Sequence, residues 1–133
     1  MLSFNLASKS DKPIIRVLIV DDMPQVRCDL RLLLQLSSEL EVVGEAANGQ
    51  EAILQAEILH PDVVIMDIKM PIMDGLQATS QIKKHKLAKR VLVLSIYSDG
   101  EEVQRAIEAG ADVFIVKGTP YSTLMKFILP NMP

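Results

Sequence analysis

The chain has 133 residues, 49% of them apolar, and a formal charge of −3 at pH 7, a length that fits one domain able to bury roughly 70% of the surface its unfolded chain exposes. The acidic balance argues against direct nucleic-acid binding, and the basic run Lys83-Lys84-His85-Lys86 reads as a solvated helix end. A lone Cys28 excludes an intrachain disulfide and no apolar run approaches the ~20 residues that cross a bilayer, so the expectation is a cytoplasmic chain without membrane association.

In chain order, residues 1–13 read as a flexible tail and Ile14 to Val20 as a first strand that runs into Asp21-Asp22. Pro24 suits a first helical position, and Val26, Leu30, Leu33 and Leu34 share one face at i, i+4, i+7 and i+8. Cys28 and Leu32 form a second, small apolar strip on the other side of that helix. Glu41 to Ala46 is a short strand with charged ends, suited to a sheet edge. Asn48-Gly49 then turns into a helix with Ile53, Ala56 and Leu59 inward, which His60-Pro61 stops.

Val63-Val64-Ile65-Met66 is a strand buried on both faces that ends abruptly on the carboxylate of Asp67. Asp74-Gly75 opens a helix to about Lys84 with Leu76, Thr79 and Ile82 inward. Val91 to Leu94 ends on Ser95, Ser98-Asp99 leads into a helix carrying Val103, Ala106 and Ile107, and Gly110 stops it. Val113 to Val116 ends on Lys117. Thr119-Pro120 reads as the cap and first residue of a last helix, Tyr121 to Leu129, with Leu124, Phe127 and Ile128 on one face and Pro130 behind it. Met66, Met70 and Met73 read as packing residues, and His60 and His85 as helix-end residues rather than metal ligands.

Five strands alternating with five helices predict an α/β fold, a doubly wound parallel sheet in a single domain. The carboxyl ends of its strands would gather Asp21, Asp22, Asp67, Ser95 and Lys117 at the edge where open α/β sheets bind ligands. Each has an ordinary use alone: Asp21-Asp22 as a helix cap, Ser95 as a strand-end residue, Lys117 as a surface lysine. Their convergence at four strand ends is what points to chemistry.

Val20-Asp21-Asp22, Met66-Asp67-Ile68-Lys69-Met70-Pro71-Ile72-Met73-Asp74-Gly75, Leu94-Ser95, Gly110-Ala111 and Val116-Lys117 resemble the receiver domain of two-component response regulators. The likeness spans about Ile14 to Leu129 and, at Asp-Ile-Lys-Met-Pro, is similar to the NarL/LuxR subgroup. It implies a flavodoxin-like sheet in the order 2-1-3-4-5, the order for which a chemotaxis receiver is the standing example. It implies that a sensor histidine kinase or phosphotransfer protein phosphorylates Asp67, with Lys117 and Ser95 assisting. It further implies that Mg²⁺, or Mn²⁺ in its place, is held by Asp21, Asp22, Asp67 and the backbone carbonyl of Lys69. By the same resemblance Ser95 and Phe114 form the conformational switch, and the first helix, around Cys28 and Leu32, forms a weak phosphorylation-favoured homodimer.

Such a chain is no enzyme beyond self-directed phosphoryl transfer and autodephosphorylation, and controls transcription where a DNA-binding domain is attached. Residues 130–133 hold no such domain. Gly118 stands where most receivers carry a proline, often across a cis bond. The alternatives are a pseudo-receiver that binds partners without phosphorylation, and a haloacid-dehalogenase-type phosphatase. The phosphatase needs Asp-x-Asp where this chain reads Asp67-Ile68-Lys69.

Overall fold

The computed structural model describes residues 13–96 and 99–129. The expected tail before residue 13, Ser98 and the terminal 130–133 lie outside the described residues. Five strands, β1 (Ile15–Val20), β2 (Leu40–Ala46), β3 (Val63–Met66), β4 (Arg90–Ser95) and β5 (Val113–Val116), alternate with helices α1 (Pro24–Leu34), α2 (Gly49–Leu59), α3 (Gly75–Lys84), α4 (Gly100–Glu108) and α5 (Tyr121–Ile128). The sheet is wholly parallel, as the element pattern predicted, in the order β2-β1-β3-β4-β5 that the resemblance implied.

Strand alternation divides the core into two layers. Val17, Ile19, Val63, Ile65, Leu92 and Leu94 face α1 and α5, where Leu30, Leu34, Leu124, Met125 and Ile128 meet them. Leu18, Val20, Val64, Met66, Val91 and Val93 face α2, α3 and α4 through Ala52, Ala56, Ala78, Ile82 and Ala106. Small residues on these three helices let them approach the sheet closely. At the edge, β2 takes one extra residue: Val17 pairs with Val42 and Leu18 with Gly44. A Cβ on Gly44 would stand 2.7 Å from Leu59 Cδ1, so the bulge places a glycine under α2.

Local signals at the helix starts hold at four of the five. Pro24 is the first residue of α1. Asn48 accepts from Glu51 N, Asp99 accepts from Glu102 N, and Asp74 and Gln77 form a reciprocal capping box. Thr119 does not cap α5. Its hydroxyl donates to Val116 O, and Pro120 is the residue before the helix rather than its first member. Gly110 follows α4 in the left-handed region, φ +95°.

Three expected inward residues lie outward instead: Leu33 and Phe127 are each 40% exposed and Ile107 is 58% exposed. On α1 the buried pair Leu30/Leu34 sets the contact line, and Leu33 falls about 100° round the helix from Leu34. On α5 the buried residues are Leu124, Met125 and Ile128, and Phe127 falls about 100° round the helix from Ile128. Every peptide bond among the described residues is trans, and Gly118 meets the turn after β5 with φ +92°.

Candidate phosphoacceptor site

The carboxyl ends of β1, β3, β4 and β5 converge as the sequence predicted. Asp21 follows β1 and is 1% exposed. Its backbone N–H donates to Ala46 O, its Oδ1 accepts from Met23 N at 2.9 Å and its Oδ2 accepts from Lys117 Nζ at 2.9 Å. Asp67 follows β3, tied by its N–H to Val20 O, and is half-buried. Its Oδ1 accepts from Ile68 N and forms an ion pair with Lys117 Nζ at 3.3 Å. Asp22 is exposed. One carboxylate oxygen from each of Asp21, Asp22 and Asp67 lies within 4.8 Å of the others.

Those distances define the electrostatics. Burial pushes the Asp67 carboxyl above its ordinary value and the neighbouring Asp21 charge adds to the rise, while Lys117 and the Ile68 N–H oppose it. Burial alone would lower Lys117, but its contacts with Asp21 and Asp67 outweigh that and hold the ammonium above its ordinary value. A single ammonium thus serves two carboxylates, leaving three acids with a net negative charge beside a buried sheet. Hard oxygens at this spacing suit a divalent cation that takes a few protein ligands and keeps several waters, so the donor set fits Mg²⁺.

Ser95, the last residue of β4, is 2% exposed, and its carbonyl accepts from Lys117 N at 2.8 Å, which ties the hydroxyl-bearing strand to the lysine-bearing one. Lys69 lies exposed in the loop after Asp67. Phe114 is half-buried on β5 against the layer shared with α2, α3 and α4. Lys117, Ser95 and the three acids are therefore brought together, whereas Phe114 stands behind them within the packing.

Two contributors escaped the sequence reading. An added Cβ on Gly75 would lie 1.7 Å from Asp67 O, and Gly75 N donates to Ile68 O at 2.7 Å, so only glycine lets α3 start hard against the backbone of Asp67. Arg27 on α1 donates Nη1 to Asp21 O at 2.6 Å and Nε to Glu45 on β2. Asp74-Gly75 was visible as a helix start, but nothing local in the sequence marks either contact. Gly49 adds a brace, its N–H donating to Met73 O at 2.8 Å across the loop that follows Asp67.

A doubly wound sheet with a switch point beside paired acids, a third acid on the central strand and a lysine on the last strand defines the receiver class. Residues 17–129 match the family model for the response regulator receiver domain, and the chain belongs to that family. It is 47% identical over 105 residues to the response regulator protein VraR of Staphylococcus aureus, covering 79% of this chain and 50% of VraR. The chain thus spans about half the length of the curated relatives it matches. Among solved structures, the receiver domain of the putative response regulator NarL from Mycobacterium tuberculosis superposes with TM-score 0.84 at 32% identity, over 89% of this chain and 95% of that one. A LuxR-family DNA-binding response regulator from Staphylococcus aureus gives 0.80 at 26% identity, over 86% and 96%. The CheX–CheY–BeF3–Mg complex from Borrelia burgdorferi gives 0.77 at 30% identity, over 87% of each chain. Among the described residues no helix is long and apolar enough to cross a membrane.

Proposed function

We propose that this receiver accepts a phosphoryl group on Asp67 from a sensor histidine kinase or phosphotransfer protein and passes the signal to an output partner. An Asp67 carboxylate oxygen attacks the phosphorus of the donor phosphohistidine, the P–N bond breaks, the imidazole leaves, and an aspartyl phosphate forms. Asp21, Asp22, Asp67 and the carbonyl of Lys69 would hold Mg²⁺, or Mn²⁺ in its place, and a bound cation would screen the clustered carboxylates from the incoming phosphoryl group. Lys117, already 3.3 Å from Asp67, meets the charge that develops on the phosphoryl oxygens. The Ser95 hydroxyl donates to the phosphoryl group, and Phe114 follows that movement by changing its depth in the core.

The observation that carries this reading is the cluster itself: three carboxylate oxygens within 4.8 Å, with one ammonium shared between two of the acids. A pseudo-receiver has no use for that complete set. Residues 14–129 form the receiver unit, working in the cytoplasm with no direct contact to nucleic acid, and output through an attached DNA-binding domain accords with longer relatives of which the match covers 50%, and with the likeness to a LuxR-family DNA-binding response regulator. The face around Cys28 and Leu32, both exposed on α1, supports a weak homodimer favoured by phosphorylation.

Intact-mass measurement after incubation with acetyl phosphate and Mg²⁺ tests the assignment. Wild type should gain one phosphate, and the gain should vanish in Asp67→Asn and in excess chelator. An unlabelled wild type, or labelling that survives in Asp67→Asn, overturns it.

A further inference from the structure

At the opposite end of the sheet from the acids lies an open groove of about 550 Å³. Lys83, Lys86, Lys89 and His60 line it over an apolar floor that includes Pro61 and Leu87, and no carboxylate is among the lining residues. The nearest acids are already engaged. Asp112 pairs with Lys83 and accepts from Val91 N, while Asp62 pairs with Lys89 and accepts from Arg16 N. Lys86 pairs with no carboxylate among the described residues. Arg16 and Arg90 stand at the same pole with their guanidinium groups on the terminal carbonyls of α2 and α5. In a chain of formal charge −3, this is a concentration of cations drawn from β1, from the end of α2 and from the stretch between Lys83 and Arg90.

His60 ends α2 at φ +46° and Lys86 follows α3 at φ +54°, a region where helices commonly place glycine. At both helix ends a cationic or ionisable side chain occupies that conformation, and both side chains line the cavity. A residue held in a disfavoured conformation beside a pocket motivates a functional hypothesis.

We infer that this basic cavity binds a small polyanion with an apolar or planar body, the chemistry of a nucleoside diphosphate: the lysines for the phosphates, Pro61 and Leu87 for the body. An extended nucleic acid fits less well, because the cations surround a pocket instead of forming a stripe and the chain as a whole is acidic.

Amide chemical shifts at constant ionic strength, in EDTA so that the acid cluster repels anions, test this with ADP and inorganic pyrophosphate as probes. Saturable shifts are expected at residues 60–61 and 83–89, with an ADP dissociation constant below about 1 mM and weaker binding of pyrophosphate. Paired Lys86→Gln and Lys89→Gln should weaken ADP roughly tenfold while leaving distant resonances in place. Lys86→Gly should raise the thermal midpoint and still weaken ADP, separating ligand binding from stability. Absence of saturable shifts, shifts centred on Asp67, unchanged ADP affinity in these variants, or binding of duplex DNA at this pole without ADP binding would each overturn the inference.

Discussion

Lys117 shows how much one side chain carries here. Its ammonium lies 2.9 Å from Asp21 and 3.3 Å from Asp67, and Asp21 is almost wholly buried, so removing the cation strands a buried carboxylate. Lys117→Met should cost about 2 kcal/mol, less than for a fully buried pair because Lys117 keeps some water contact. Added Mg²⁺ should raise the thermal midpoint of the variant more than that of wild type, because either cation relieves the same acids. Asp67→Asn should act oppositely. Because the fold raises this carboxyl above 3.8, chiefly through burial and then through Asp21, ionisation opposes folding once the pH passes the ordinary carboxylate range. In chelator at neutral pH the variant should therefore be more stable by about 0.5–1 kcal/mol, a figure discounted for partial exposure. The gain should fade as the pH falls through the raised folded value and be gone below about 3.8, where the carboxyl is protonated in both states, and thermal melts from pH 3 to 7, run at about one-unit steps, measure it. Gly75 gives a contrast in backbone terms. Gly75→Ala drives a Cβ into Asp67 O and should cost about 3 kcal/mol or more together with phosphate labelling, whereas Gly100→Ala, with nothing within 4 Å of the added atom, should be neutral or slightly stabilising.

α1 is held to the sheet by an apolar line and by an ionic network at its flank. Arg27 and Arg31 both donate to Glu45 on β2, at 2.9 and 2.7 Å, and Arg27 continues to the Asp21 carbonyl. Burial would raise the Glu45 carboxyl, but Arg31 and Arg27 overcome it and hold the group below its ordinary value. The depressed value means that its stabilisation is present above 4.5 and is lost as the pH falls through the folded value. Glu45→Gln should thus cost about 0.5 kcal/mol at neutral pH, and the difference from wild type should close on acidification. The same substitution loosens the arginine that touches the Asp21 backbone. α3 has a comparable double duty, its first residue against Asp67 and its last turn beside the basic cavity.

The whole molecule is polar along the strand direction, with acids at the carboxyl ends of the strands and lysines and arginines around the amino ends of β3 and β4. Its outer surface also keeps an apolar strip on α1, where Leu32 and Leu33 are 60 and 40% exposed, and Leu36 just past the helix is 75% exposed. The strip is broader than Cys28 and Leu32 alone, because Leu33 turned outward. Sedimentation of phosphorylated protein should show a dimer fraction that Leu32→Glu lowers; a tenfold change needs only ~1.4 kcal/mol of differential affinity. Equal dimer fractions in the two would rule this face out.

The element order and the gathering of Asp21, Asp22, Asp67, Ser95 and Lys117 at strand ends were legible in the chain because they follow from short-range signals, whereas the order of the strands in the sheet came only with the resemblance to receiver domains. Apolar runs of strand length end on polar residues, and helices open at Asn48, Asp74 and Asp99 with donors a few residues on. The direction each helix faces was legible only to within one position in a turn, so Leu33, Ile107 and Phe127 were read inward although the contact lines run through Leu34, Ala106 and Met125. Tertiary structure alone decided that Lys117 divides itself between Asp21 and Asp67, that Gly75 must lack a side chain, that Arg27 reaches the Asp21 carbonyl and that His60 shares a cavity with Lys86. The physical reason is range. Each of those contacts joins residues from different segments, and the distances between them are set by how closely the helices pack on the sheet, which no local pattern in the sequence records.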